Sequence, residues 1–208
     1  MRKVYIELMP VMKYVKEGNA EPHFYETMEG CRIHTETPIW FPITAVMECT
    51  RDEGDEEEII LVEVGSDSEQ TSSNAELLHQ ELKDHGLSPT IKTVTVSQVQ
   101  DNAMTEELIL QLTGIIHQGD DIYVSATFGT KPMLIAMLYA IQIAETGLKD
   151  VEIQGIFYGE KTYQSNPERH RFYDLSSLYF LSKVVDGIEP GDEEHLKGVL
   201  EGMFALRH

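Results

Sequence analysis

The chain has 208 residues, 41% of them hydrophobic, and carries a formal net charge of −20. This length suits one domain with a small appendage, and the apolar content is enough for a core. The negative charge argues against binding of duplex nucleic acid, which needs a basic face. No apolar run reaches the roughly 18 residues of a membrane span, so no membrane partner is expected.

The first elements follow from apolar periodicity and turn residues. A strand is predicted at Val4–Leu8, and the irregular segment 11–36 is expected either to bind something or to pair as an extra hairpin. A helix within Thr37–Thr50 starts behind Pro42. It ends at the acidic run Asp52–Glu58, which is interpreted as a solvated loop or helix face.

The middle of the chain alternates between strand and helix patterns. Ile59–Val64 is a continuous apolar strand, and Thr90–Val96 alternates with β-branched residues as a strand does. Between them, Ser73 and Glu76 match a capping box and are predicted to begin a helix that ends just before Gly86.

The second half continues this alternation. The predicted elements are a helix at Thr105–His117, a strand at Ile122–Ala126, a helix at 133–145, a strand at Val151–Tyr158, and helices at Asp174–Val185 and Glu193–Leu206. This order predicts an α/β fold that is Rossmann-like, with a mostly parallel sheet, helices on both faces and additional C-terminal helices.

In such a fold, ligands bind beyond the carboxyl ends of the strands. The loops expected at that edge are Met9–Lys13, Gly65–Asn74, Ser97–Asn102 and Thr127–Lys131, with Gly159–Gln164 beside them. A ligand site is therefore predicted where these loops meet.

The turn Thr127–Lys131 carries the most specific chemistry. It places two hydroxyls, a glycine and an ammonium before Pro132, which occupies the first turn of a helix. Free N–H groups at a helix N-terminus together with a cation suit a phosphate. The turn is not a Walker A loop, since Thr130 precedes Lys131 and a proline follows it.

Other constellations are weaker. Cys31, His34 and His23 provide too few ligands for zinc, so no metal site and no cofactor are expected. Ser125 lacks the glycine-flanked elbow of a hydrolase nucleophile. The two cysteines do not make a disulfide framework, and the amino-terminal run lacks a signal-peptide cleavage site, which favours a cytoplasmic location.

The pattern D-x-x-x-x-x-T-x-G-T-K-P over Asp121–Pro132 resembles the fourth-strand motif of CARF domains, the CRISPR-associated Rossmann-fold ligand sensors. The run SSNAELL after the second main strand, and the helix at Tyr173–Ile188, are similar to further features of that family. The resemblance covers about residues 1–190. It implies that residues 191–208 form a C-terminal helix, which either ends a stand-alone protein or leads into an effector domain.

The resemblance implies a homodimer that binds a cyclic oligoadenylate, of four or six residues, in type III CRISPR antiviral defence. By motif position, Thr127, Gly129, Thr130 and Lys131 would hold phosphate and ribose. The adenine pockets would be lined by residues of the first two loops, namely Met9, Pro10, Ser66, Ser72, Ser73 and Asn74. A two-fold ligand suits an isologous interface, and Met133, Met137 and Tyr139 on the helix 133–145 exceed what one sheet face covers.

Three functions remain open at this point, and the sensor without chemistry of its own is preferred. The alternative is a ring nuclease in which the ribose 2′-hydroxyl attacks its own phosphate without a metal, with Thr127 and Lys131 as catalytic candidates. An unrelated Rossmann-like nucleotide-binding protein is the third possibility. Since the chain is acidic, the ligand cleft has to be a locally positive region.

Overall fold

The computed structural model describes residues 1–11, 21–65, 69–162, 169–186 and 193–205. Within these ranges the strands are β1 (Arg2–Leu8), β2 (Glu26–Thr27), β3 (Glu56–Val64), β4 (Thr90–Val96), β5 (Asp120–Ser125), β6 (Glu152–Thr162) and β7 (Arg169–Asp174). The helices are α1 (Pro42–Thr50), α2 (Glu69–Asp84), α3 (Asn102–Ile115), α4 (Lys131–Gly147), α5 (Ser176–Asp186) and α6 (Glu193–Ala205).

The strands form one sheet in the order β2-β7-β6-β5-β1-β3-β4. The pairings among β4, β3, β1, β5 and β6 are parallel. Strand β7 pairs antiparallel with β6, and β2 pairs in parallel with β7, so β7 and β2 run opposite to the other five strands. Parallel strands need crossover connections, which the helices supply. The predicted Rossmann-like α/β fold is therefore confirmed, as a mostly parallel mixed sheet.

Each face of the sheet is covered by its own helices. Residues Val4, Ile6 and Leu8 of β1 face a cluster built with α3 and α4, whereas Tyr5 and Met9 face a second cluster built with α1 and α2. This alternation is the period-two pattern of a strand buried on both faces. The two layers leave the strand ends as the open edges of the molecule.

A partly buried ion network occupies the amino-terminal edge and corrects the interpretation of the last residues of the acidic run, Glu56–Glu58. Arg2 Nε donates to Asp120 at 2.8 Å, and the same guanidinium lies 3.5 Å from Glu58. Lys92 Nζ lies 2.9 Å from Glu58. Glu56–Glu58 belong to β3 rather than to a solvated loop, and Glu58 is buried there because Arg2 and Lys92 neutralise it.

Other boundaries also differ from the predictions. Helix α2 begins at Glu69, so Ser73 lies inside the helix and not at its N-cap, because the helix-forming residues before it extend the helix upstream. Strand β6 continues to Thr162, and pairing with β7 makes Gly159–Thr162 part of a hairpin instead of a loop. The predictions of β4 at Thr90–Val96 and of Gly86 just past α2, with a φ of 68°, are confirmed.

The segment 11–36 is described only in part. Residues 12–20 lie outside the described ranges, while Glu26–Thr27 pair in parallel with β7 as a short edge strand and His23 bridges Ile39. Among the described helices, none is long and apolar enough to cross a membrane.

Candidate ligand-binding site

The site lies at the carboxyl ends of β1 and β5. Strand β1 pairs with β3 on one side and with β5 on the other, so the chain reverses its direction of travel across the sheet between β1 and β5. Ligands of open α/β sheets bind in the crevice outside such a switch point. The turn Thr127–Lys131 follows β5, and Met9 and Pro10 follow β1, so both predicted loops border this crevice.

Thr127 is fastened to β6 through its side chain. Its Oγ1 accepts a hydrogen bond from Gly159 N at 2.9 Å and from the Ser125 hydroxyl at 3.3 Å. A hydroxyl oxygen has two lone pairs and one proton. Since both lone pairs are engaged, the Thr127 hydroxyl retains only its capacity to donate.

Gly129 brings the turn directly onto the end of β1. Its φ is 81°, in the left-handed region that favours glycine. A Cβ built on this residue would lie 2.9 Å from Leu8 Cβ, closer than real side-chain contacts allow. Phe128 anchors the turn from the other face, with its ring centroid 6.0 Å from that of Phe41.

Thr130 is the N-cap of α4. Its hydroxyl oxygen accepts from Met133 N at 3.4 Å, and its proton is donated to Gln100 Oε1 in the loop after β4. The Thr130 hydroxyl thus caps the first turn of α4 and joins the loop after β4 to the turn after β5. Gln100 was missed by the sequence reasoning, since no local pattern marks it.

Lys131 begins α4 and is exposed to solvent. Its ammonium makes no ion pair or hydrogen bond with the part of the chain that the structure describes. The backbone N–H groups of Gly129, Thr130 and Lys131 likewise donate to no acceptor in these ranges. Three unengaged N–H groups and a free ammonium at the positive end of a helix dipole attract an anion.

The residues from the first two loops are mostly buried. Met9 is 1% exposed and packs in the cluster under α1 and α2, and Pro10 is also buried. Asn74 is 2% exposed, and its Nδ2 donates to the Pro10 carbonyl at 3.0 Å, which fastens the β1 loop to α2. Ser66 and the side chain of Ser72 lie outside the described residues.

A buried acid lies beneath the turn. Glu7 of β1 pairs in register with Ser125 of β5, and its side chain is completely buried. Within the described part of the chain, no donor meets either carboxyl oxygen in good hydrogen-bond geometry, although the Ser125 hydroxyl lies close enough to affect the Glu7 pKa. Burial raises the pKa of Glu7 well above its usual range; the Ser125 hydroxyl opposes this shift and Glu81 adds to it. The only sequence signal for Glu7 is a charged residue inside an apolar strand.

An apolar groove of about 380 Å³ lies between α4 and α5. Its walls include Leu134, Leu138 and Tyr179, and the Tyr179 hydroxyl donates to Glu145 Oε2 at 2.6 Å to join the two helices. At the rim of this groove, α4 exposes a stripe of apolar residues at four-residue spacing: Ile135, Tyr139 and Ile143, each at least 50% exposed. Met133 and Met137 were predicted to present more apolar surface than one sheet face covers, but both are fully buried against the sheet.

The remaining candidates for chemistry do not assemble. His34 meets Cys49 rather than Cys31, with Nδ1 3.5 Å from Cys49 Sγ. Burial raises the pKa of the Cys31 thiol and of the Cys49 thiol, which makes both less reactive. Across the ranges that the structure describes, no group of three or more His, Cys, Asp or Glu side chains is placed to hold a metal ion.

The fold and the position of this turn define the chain as a Rossmann-like α/β protein. No protein-family model matches the chain, and no curated protein matches it significantly.

Proposed function

We propose that this protein is a sensor that binds a cyclic oligoadenylate at a homodimer interface, in type III CRISPR antiviral defence. The observation that carries the proposal is the turn Thr127–Lys131, which lies at the switch point with three unengaged N–H groups, a donor hydroxyl and a free ammonium. These groups match the acceptor oxygens of a phosphodiester. The CARF-like pattern of the same residues supplies the identity of the ligand.

The exposed stripe on α4 supports the dimer. Ile135, Tyr139 and Ile143 lie on the helix that starts at the turn, so a two-fold axis that runs along this stripe, parallel to α4, would bring two turns to one crevice. An apolar patch of this kind on a surface helix is typical of a protein interface. A cyclic ligand with two-fold symmetry then contacts the same residues in both subunits.

The test is calorimetry with cyclic tetra-adenylate, cyclic hexa-adenylate and a linear tri-adenylate. We expect one of the cyclic ligands to bind in preference to the linear one. Lys131→Ala should weaken that binding by about 1.5–3 kcal/mol, the scale of a charge-assisted hydrogen bond. Lys149→Ala is the matched control, because Lys149 is equally a surface cation but lies beside Asp150 at the opposite end of the sheet.

Equal affinity of the Lys131→Ala variant and the wild type would contradict the placement of the ligand. Failure of both cyclic ligands to bind would contradict the function itself. A large fall in melting temperature of Lys131→Ala would assign Lys131 a structural role, which its exposure argues against.

The ring nuclease is the second candidate, and the donor-only hydroxyl of Thr127 is the observation that favours it. Such a hydroxyl stabilises charge that develops on a phosphate oxygen during 2′-hydroxyl attack. In a ring nuclease, Thr127→Val should slow turnover more than it weakens binding. Excess protein incubated with the bound ligand should then release linear products with a 2′,3′-cyclic phosphate; intact ligand after hours supports the sensor.

A further inference from the structure

The side chain of Glu7 lies on the face of the sheet that α1 and α2 cover, as do those of Tyr5 on the same strand and of Met9 just after it. Its neighbours in register are Leu61 of β3 and Ser125 of β5. Glu7 therefore lies on β1, which is flanked by β3 and β5, and directly below the turn Thr127–Lys131.

No cation among the described residues compensates the Glu7 carboxyl. The group that faces Glu7 from α2 is Glu81, which is itself an acid. The Glu81 carboxyl accepts hydrogen bonds from the Thr44 hydroxyl and the Phe41 N–H at the start of α1. Lys3, further back on the same strand, is held by Thr50 O at 2.6 Å and by Asp52 and Asp55. Burying an uncompensated carboxylate costs far more than protonating it, so the neutral acid is favoured.

The charge on Glu7 decides which way Ser125 donates. In the structure the Ser125 hydroxyl donates to Thr127 Oγ1 at 3.3 Å, although it lies beside the Glu7 carboxyl. An ionised carboxylate is the stronger acceptor and would draw that proton away from Thr127. A neutral carboxylic acid instead has its own proton to donate to Ser125.

We propose that Glu7 is kept as an un-ionised carboxylic acid at neutral pH, which holds Ser125 as a donor to Thr127 and leaves the Thr127 hydroxyl only as a donor to the ligand. The group of the ligand that meets Thr127 is then a hydrogen-bond acceptor with anionic character, such as a phosphoryl oxygen. Glu7 acts as a positioning residue through Ser125 and does not touch the ligand. The identity of the ligand rests on the proposed function, whereas the state of Glu7 does not.

The first test compares the stability of wild type and Glu7→Gln by urea unfolding between pH 5 and pH 7.5. A glutamate in the unfolded chain has a pKa of about 4.3 and loses its proton first as the pH rises. As the pH rises, the folded protein, in which Glu7 keeps its proton, therefore loses stability relative to the unfolded chain, until the pH passes the pKa of Glu7 in the folded state. Glu7→Gln cannot ionise and lacks this effect.

We expect the unfolding constant of the wild type, relative to Glu7→Gln, to rise about tenfold per pH unit up to pH 7, equal to about 1.36 kcal/mol per unit. Glu76→Gln, at an exposed position of α2, controls for the loss of any one glutamate. Parallel curves for wild type and Glu7→Gln, or a plateau below pH 7, would overturn the proposal. If Glu7→Gln fails to fold, the absence of the infrared carbonyl band of an un-ionised carboxylic acid in the wild type at pH 7 overturns the proposal.

The second test concerns the donor role of Thr127, with cyclic tetra-adenylate and cyclic hexa-adenylate as the probes. Thr127→Ser keeps a hydroxyl and Thr127→Val removes it, so we expect the serine variant to bind at least about tenfold more tightly. Equal weakening in both variants overturns the donor role. If neither probe binds the wild type while the stability ratio follows pH as expected, the proposed function fails and the assignment of Glu7 stands.

Discussion

Replacing Gly129 by alanine tests the close approach of the turn to β1. Leu8 Cβ, at 2.9 Å from the added methyl, is attached to a strand that pairs on both sides, so it cannot move without disturbing the sheet. Gly119 provides a matched control, because its φ is also 81° but an added Cβ there meets nothing within 4 Å. The two substitutions share the backbone strain and differ in the contact.

The expected losses of stability follow from the backbone strain and from the contact with Leu8. A non-glycine residue in the left-handed region costs about 1–2 kcal/mol, and alanine recovers about 0.4–1 kcal/mol by restricting the unfolded chain. Gly119→Ala should therefore destabilise by roughly 0–1.5 kcal/mol. Overpacking against Leu8 adds about 1–3 kcal/mol in Gly129→Ala, so the two variants should differ by that amount.

Urea unfolding followed by circular dichroism measures both variants against the wild type, with an unchanged m-value as the check that only stability has altered. Gly129→Ala should also lose ligand binding, because the shifted turn moves its N–H groups. If Gly129→Ala were no more destabilising than Gly119→Ala, the turn would not rest on β1 and the geometry of the site would be wrong.

Three further outcomes are expected. Asp120→Ala should destabilise the protein by about 1–3 kcal/mol in urea unfolding, because it removes the carboxylate that accepts from the partly buried Arg2 guanidinium and from the His117 N–H, while Glu58 remains as a counter-charge to Arg2; a loss within about 0.5 kcal/mol, as for an exposed ion pair, would contradict this. Tyr139→Glu should convert a dimer to monomers in sedimentation at micromolar protein, and a wild type that already sediments as a monomer would refute the α4 interface. Asn74→Ala should cost about 1–2 kcal/mol by releasing the Pro10 carbonyl, and an unchanged stability would show that this bond is dispensable.

The fold was predictable because its signals are local. The alternation of Thr90–Val96 is a property of that strand alone, and Thr130 and Pro132 mark the start of α4 whatever surrounds it. The start of α2 was mispredicted because a capping signal at Ser73 competes with helix-forming residues before it, and the sequence does not rank the two.

The parts of the site that escaped prediction depend on pairing between distant segments. Strand β7 reads as a charged stretch, and it becomes a strand only because β6 offers it an edge. Glu7 has meaning only once the register sets it beside Ser125, and Gln100 only once its loop meets the cap of α4. Such contacts are decided by tertiary packing, to which local propensity contributes little.

The hydrogen bond from Gly159 to Thr127 gives the protein a built-in spectroscopic reporter. The amide of Gly159 is held by a side chain of the ligand-edge turn and not by the backbone of a neighbouring strand. Its exchange with deuterated solvent, and its proton and nitrogen resonances, therefore follow the state of Thr127. The Gly159 amide can thus report a change at the crevice without a label on the ligand. It lies in β6, which pairs with β7, the strand that leads into α5.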